Sequence, residues 1–477
     1  APAAWDITTG SSSVNIAVVD GGMQANHPDF TGRVSGDAGD GFFHGTNVAG
    51  VAAAQGNNGQ GISGVAWNVG IINEDYGAAT DADFAAAVRS AANRGADLVN
   101  SSWKLIPIGR FSTTVRRAFA DVYRLNRVSV ASMGNQAETN EPEKQYPAAF
   151  GQGIVTVGAT TNTDQRASYS SRGSWIDGAA PGGGTVPGGT ATEEDRIYTT
   201  DPGSDYDYTQ GTSFAAPAVT GIGALLLSVD PALYNDDIEQ IIRLSAEDID
   251  DPNDSSTGPG FDNGTGTGRV NARKALEYLQ SPYAVKHWTA QGGTSVETWN
   301  FSGTFYDLPG APDGYYVGTT HRVRTTVSFP ESFSSIEDVW GRGVASTGYS
   351  AATSNFSIPY CRVVSHTATS VTLETFAHDV SRTDGSYAGW YPVKPSNIEC
   401  AYTVLGEPGS SPVEVTLSGP TWLDTGEEGT WTASVSGGSG STSYDWEYQS
   451  VPSSTGWSST YCSGASCSHT FFNYSSS

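Results

Sequence analysis

Short apolar runs and helical patterns take turns along the first half of the chain. Residues 15–19, 96–100, 127–131 and 153–158 each read as a buried strand. Residues 82–94 and 113–125, which fall between them, carry apolar side chains at helical spacing. Strands alternating with helices predict a parallel sheet covered on both faces, hence a three-layer α/β domain. Residues 212–228 predict a further helix, apolar nearly all round and therefore buried. Residues 268–271 read as a short strand, and a last helix is expected over 272–279.

From Ser281 onward Thr, Ser, Tyr, Val and Gly dominate and the helical period disappears. Residues 323–329, 370–376 and 399–404 alternate as half-buried strands do, which predicts a β-sandwich over 281–405. After a linker at 406–412, residues 413–477 suggest an immunoglobulin-like or polycystic-kidney-disease-type module. It has room for four or five strands, so it is expected to be incomplete. All four cysteines, Cys361, Cys400, Cys462 and Cys467, lie in this last part. An even count in a β-rich region predicts two disulfides and an oxidising compartment. Three pairings are open, and sequence order favours Cys361–Cys400 with Cys462–Cys467.

The formal net charge is −26, from 50 acidic and 24 basic residues. Such a field repels nucleic acid and anionic membranes, which argues against both as partners. It suits solubility and salt tolerance, or the steering of cationic protein substrates. No apolar run approaches the roughly 20 residues of a membrane span. The chain starts at Ala1 without a basic-then-apolar leader, which fits a processed, secreted form.

Four segments carry chemistry. Ser213, in Gly211-Thr-Ser-Phe-Ala-Ala-Pro217, opens the buried helix, where unpaired N–H groups and the helix dipole favour a developing oxyanion. A serine hydroxyl needs an adjacent base, and the base an orienting acid. His44, in His44-Gly-Thr-Asn-Val-Ala-Gly50, and Asp20, at the end of the first strand, are those residue types. Ligands gather at the carboxyl ends of parallel strands, which suits Asp20. Asn135 follows another strand end and carries an amide able to donate to an oxyanion. Singly, an Asp after a strand is a turn former and a Ser at a helix start is a cap. Jointly, the order Asp, His, Ser is that of subtilisin-type enzymes.

These segments, with Asn26-His-Pro-Asp-Phe30, Tyr146-Pro147, Arg166-Ala-Ser-Tyr-Ser170 and Ala180-Pro-Gly182, resemble the signatures of the subtilisin-like serine protease family (the subtilases). Ala4-Trp-Asp-Ile7 and Gly268-Arg-Val-Asn-Ala272 bring the thermitase branch nearest. The resemblance covers residues 1–280. It implies a subtilisin-like parallel-sheet catalytic domain and a monomeric, secreted endopeptidase acting on proteins or peptides. Asp20, His44 and Ser213 would form its triad, with Asn135 in the oxyanion hole. Four departures stand out. Gly21 follows Asp20 where the family has Thr or Ser, and Asn47 replaces a second His. The connection from Asp20 to His44 is short, and a Gly-rich acidic insertion spans 183–195.

The resemblance also implies cleft walls at Ser102, Trp103 and Lys104 on one side and Ser132, Met133 and Gly134 on the other. Lys104 stands where small residues are usual, so it narrows the primary pocket or points to solvent. Trp103 lines a subsite or is a packed aromatic. Gln136 removes one attraction for a basic side chain. Asp29 and Asn58, with carbonyls of Gly56, Gln60 and Ile62, match the family's structural calcium site, and hard cations want such oxygens. Two rivals are a sedolisin-type peptidase, against which His44 argues, and a non-catalytic adhesin with a decayed peptidase domain.

Overall fold

A computed structural model describes the chain except residues 1, 39–42, 152, 187, 281, 292–296, 306–313, 346–360, 383–387, 392–397, 410–413, 419–427, 437–446, 449–457, 460–465 and 471–477. The central sheet is built from β1 (Asn15–Asp20), β2 (Val34–Gly36), β3 (Gly70–Asp75), β4 (Leu98–Ser101), β5 (Val128–Ser132), β6 (Val155–Thr160) and β7 (Gly178–Pro181). Their spatial order is β2-β3-β1-β4-β5-β6-β7, and every pairing is parallel. The carboxyl ends of β1, β4 and β5 are therefore neighbours, which brings sequence-distant segments to one edge.

Alternation along the strands divides the interior in two. Ile16, Val18, Leu98 and Val130 face one apolar cluster, and Ala17, Val19, Val99 and Ala131 face the other. The first cluster is completed by α1 (Phe43–Ala53), α4 (Thr212–Val229), α5 (Asn235–Leu244) and α6 (Ala272–Glu277). The second is completed by α2 (Asp81–Asn93) and α3 (Thr113–Arg124). This is the expected three-layer arrangement. At 18 residues α4 is long and apolar enough to cross a membrane, but 72% of it is buried within the protein. It serves as a core helix packed on the sheet.

Several elements differ from the sequence expectation. Residues 268–271 form no strand; only Arg269 makes isolated bridges, to Ala179 and Glu247. A strand here would need a continuous ladder, and the positive φ of Gly268 breaks it. An antiparallel hairpin of β8 (Ile197–Asp201) and β9 (Asp205–Thr209) lies outside the main sheet. The sequence pattern did not reveal α5, although Ile238, Ile241 and Ile242 are its buried stripe.

The described strands of the C-terminal part all pair antiparallel. One sheet runs β10 (Ala284–Gln291), β17 (Ile398–Pro408), β13 (Phe333–Ala345) in space. The other runs β11 (Glu297–Phe305), β12 (Gly314–Ser328), β15 (Ser370–Arg382), β14 (Cys361–His366), with β16 (Ala388–Tyr391) paired to β15. Phe329, Val339, Leu373, Tyr402 and Val404 form a shared apolar cluster between them. The disulfide Cys361–Cys400 joins β14 to β17. Beyond these lie β18 (Glu414–Ser418), β19 (Glu428–Ser436), β20 (Glu447–Tyr448), β21 (Ser458–Ser459) and β22 (Ser466–Thr470). β22 holds Cys467, whereas Cys462 lies outside the described residues.

Candidate active site

Asp20 ends β1 and is buried, with its Oδ1 accepting the Gly21 N–H at 2.8 Å. Its Oδ2 lies 2.8 Å from Nδ1 of His44, in the first turn of α1. An ionised carboxylate only accepts, so Nδ1 carries the proton and Nε2 is left with its lone pair. Burial works against the imidazolium, but the charge of Asp20 and its hydrogen bond outweigh burial. His44 therefore titrates above its ordinary value.

Ser213 sits in the first turn of α4, where its backbone N–H has no intrahelical acceptor. Gly211, just before the helix, has φ 148°, a conformation open to glycine and strained for other residues. Phe214 tilts against the His44 ring at 5.8 Å between centroids, which holds the two segments together. The Ser213 Oγ donates to the Ser102 carbonyl at 3.3 Å, and the Ser102 hydroxyl donates to the Ser213 carbonyl at 2.9 Å. Among the described residues Ser213 makes no hydrogen bond to His44. Catalytic hydrogen bonds of free enzymes are often long and tighten on binding.

Asn135 follows β5 and faces solvent. Its Oδ1 accepts both the Thr212 N–H, at 3.0 Å, and the Thr212 hydroxyl, at 2.8 Å. With the oxygen engaged, the NH₂ end is the one left to face the cleft. Thr212 Oγ1 also accepts the Gly134 N–H at 3.0 Å, so one threonine ties β5's exit to the start of α4.

Asp20, His44, Asn135 and Ser213 line one cleft of about 430 Å³. Ser102, Trp103, Lys104, Ser132 and Gly134 line it as well. Met133 does not: its side chain is fully buried away from the cleft. Trp103 is mainly a packed aromatic, stacked on Phe84 at 4.1 Å and 92% buried, with an edge toward the cleft. Lys104 is half-buried, and among the described residues it makes no ion pair.

The sequence motifs did not point to Gln145, which lines the same cleft while 98% buried. Its Nε2 donates to Gln136 Oε1 at 2.6 Å, and that oxygen also accepts the Asn135 N–H at 2.9 Å. Gln136 is thus turned inward and buried. Gly134 has φ 112°, and a Cβ there would run into the Gln145 amide. The signal was available, since Gln145 directly precedes Tyr146-Pro147. Exposed Phe43 and Ile106 add an apolar rim. Asn47 holds structure together, because its Nδ2 donates to the Thr200 carbonyl at 2.5 Å and to Asp201 at 3.0 Å. Those two bonds pin the β8–β9 hairpin onto α1.

The residues expected to hold calcium do come together. Asp29 is fully buried, and loop 56–62 closes on it. What converges on its carboxylate, however, is hydrogen. Asn58 Nδ2 donates to Oδ1 at 2.8 Å, and the Ile62 N–H and Tyr206 hydroxyl donate to Oδ2 at 3.1 and 3.0 Å. Asn58 Oδ1 is engaged by the Gln60 N–H at 3.1 Å, which fixes the amide's orientation. A calcium ion wants six to eight converging oxygens. This arrangement does not fit it, because three donors occupy the one carboxylate. Among the described residues no group of three or more His, Cys, Asp or Glu is placed to hold a metal.

Residues 11–268 match the family model described as the subtilase family of peptidases. The chain is 35% identical to a thermophilic serine proteinase of Bacillus sp. (strain AK1), over 58% of this chain and 64% of that protein. It is also 35% identical to thermitase of Thermoactinomyces vulgaris, over 58% of this chain and 93% of that one. Identity to halolysin of Haloferax mediterranei is 33%, over 58% of this chain and 51% of halolysin. Among solved structures, a protease from Pseudoalteromonas arctica superposes with TM-score 0.50 at 28% identity, covering 58% of this chain and 93% of that one.

Proposed function

The chain belongs to the subtilase family, and from that premise we propose that it is a secreted serine endopeptidase whose nucleophile is Ser213. The observation that carries this reading is the line from buried Asp20 through His44 to the cleft that also holds Ser213 and Asn135. His44 Nε2 takes the Ser213 proton as Oγ attacks the peptide carbonyl. Asp20 keeps the imidazole in the right tautomer and stabilises the imidazolium. The Asn135 NH₂ and the Ser213 N–H donate to the oxyanion, each such donor contributing roughly 3–4 kcal/mol. His44 then gives its proton to the leaving amine, and water releases the acyl group by the same steps in reverse.

The primary pocket lies between Ser102–Lys104 on one side and Ser132 with Gly134 on the other, and the Gln136–Gln145 pair lines it too. The exposed apolar rim of Phe43 and Ile106, with the edge of Trp103, favours substrates with apolar side chains. Calcium is a common structural ion in this family. In this chain Asn58, Ile62 and Tyr206 take its place around Asp29. The C-terminal sheets are read as a β-sandwich, with the strands from β18 onward as a separate small module.

Phenylmethylsulfonyl fluoride tests the nucleophile directly. Stoichiometric loss of activity with the adduct mapped to Ser213 is the expected outcome. Full activity at saturating reagent, with labelling elsewhere, would overturn the assignment.

A further inference from the structure

Asp237, on the first turn of α5, is 99% buried and accepts four hydrogen bonds. One is local, from the Tyr234 N–H at 2.7 Å. The other three come from the C-terminal sheet: His287 Nε2 at 2.7 Å from β10, Trp340 Nε1 at 2.8 Å from β13, and Thr403 Oγ1 at 2.8 Å from β17. In the strand register Thr403 is paired with His287 on one side and Trp340 on the other. One cross-strand row of the sheet therefore converges on one carboxylate.

The contact around that row is broad. The Arg342 guanidinium stacks on the Tyr234 ring at 3.6 Å. Gln240 donates to Asp338 at 2.7 Å, and the Tyr278 hydroxyl donates to Glu337 at 3.0 Å. Trp340 and Leu405 belong to the same apolar cluster as Ile238 and Leu225 of the parallel-sheet domain. Successive residues on these strands alternate: Trp340, Thr403 and Leu405 turn toward α5, whereas Val339, Tyr402 and Val404 turn toward the second antiparallel sheet. The sheet is thus buried on both faces. A carboxylate with this many donors is costly to strip, because undocking would leave it and the Trp340 indole to find water.

We infer that the β10–β17–β13 sheet is an integral wall of the parallel-sheet domain, docked on α5 through Asp237, and not a module carried on a tether. The apolar core runs without a break across the junction, so the two parts fold and unfold together. Among the described residues, the strands from β18 onward take no part in this docking.

The test uses the full chain with Ser213→Ala, to prevent self-digestion, and a foreign protease recognition sequence inserted after Gln280. After cleavage, the two fragments are expected to elute together on size exclusion at low micromolar concentration. Adding Trp340→Ala and His287→Ala is expected to make them separate. Separation of the cleaved fragments without those changes would overturn the inference. Calorimetry of uncut Ser213→Ala with Trp340→Phe supplies a milder variant, since the ring stays and only the donor is lost. The single unfolding midpoint shared by the two parts should fall by roughly 2–4 °C. An unchanged midpoint would count against docking as a stabilising contact.

Discussion

Asn135 and Thr212 are locked together: the asparagine's Oδ1 accepts both the N–H and the hydroxyl of the residue preceding Ser213, the proposed nucleophile. The consequence is that Asn135 presents its NH₂ to the cleft, and that donor and nucleophile are positioned by one shared contact. Thr212→Val removes the hydroxyl half of this lock and the Gly134 N–H acceptor. It should lower kcat with little change in KM, because the substrate ground state does not use the donor. Asn135→Ala should cost about 10²–10³-fold in kcat. Steady-state kinetics on one peptide checks both, and an unchanged kcat for Asn135→Ala would remove it from the mechanism.

The Asp20–His44 contact sets a pH dependence. His44 must be neutral to act as base, and its pKa stands above the ordinary histidine value because Asp20's charge and hydrogen bond outweigh burial. The acid limb of kcat/KM should therefore lie above about pH 6.5, with activity lost as pH falls through it. Asp20→Asn should move that limb down and reduce kcat by about 10⁴-fold. A wild-type acid limb below the ordinary histidine range would contradict the arrangement.

At Asp29 the expected outcomes separate a metal from a hydroxyl. Chelator should leave the melting temperature of Ser213→Ala unchanged. Tyr206→Phe, which deletes one donor to the buried carboxylate, should lower stability by about 1–2 kcal/mol. A large drop in melting temperature with chelator, restored by calcium, would show that the loop rearranges around an ion.

Asp236 offers a second titration. Burial raises its carboxyl to about 7, and its Asp237 neighbour adds to this, against the Tyr123 hydrogen bond and the Arg342 charge. The unfolded carboxyl titrates near about 4. Between those values the folded state holds the extra proton, so this group's stabilising contribution is complete below about pH 4 and is lost as pH rises toward about 7. Asp236→Asn cannot ionise. Its melting temperature relative to the parent should rise between mildly acidic and mildly alkaline buffer; a constant difference would contradict the shift.

The legible parts of the sequence were those with strong local signals. The runs at 15–19 and 127–131 became β1 and β5 within a residue because strands buried on both faces are apolar throughout. The meeting of Asp20, His44 and Ser213 at one cleft was legible through motif order. The poorly legible parts depend on tertiary partners. Gln145 lines the cleft only because Gly134 has no side chain in its way. Asn58 matches a ligand in type, yet its orientation is decided by Gln60 and Asp29. α5 is short, and its acidic first turn reads as a solvated loop until β10, β13 and β17 supply the donors that bury Asp237. Residues 268–271 look like a strand, but Gly268 allows only the bridges at Arg269.

Casein hydrolysis by the intact chain and by Ser213→Ala, both verified as folded by circular dichroism, addresses the central claim most directly. A loss on the order of 10⁶-fold in turnover is the expected result. Equal rates for the two proteins would contradict Ser213 as the nucleophile and the peptidase mechanism built on it.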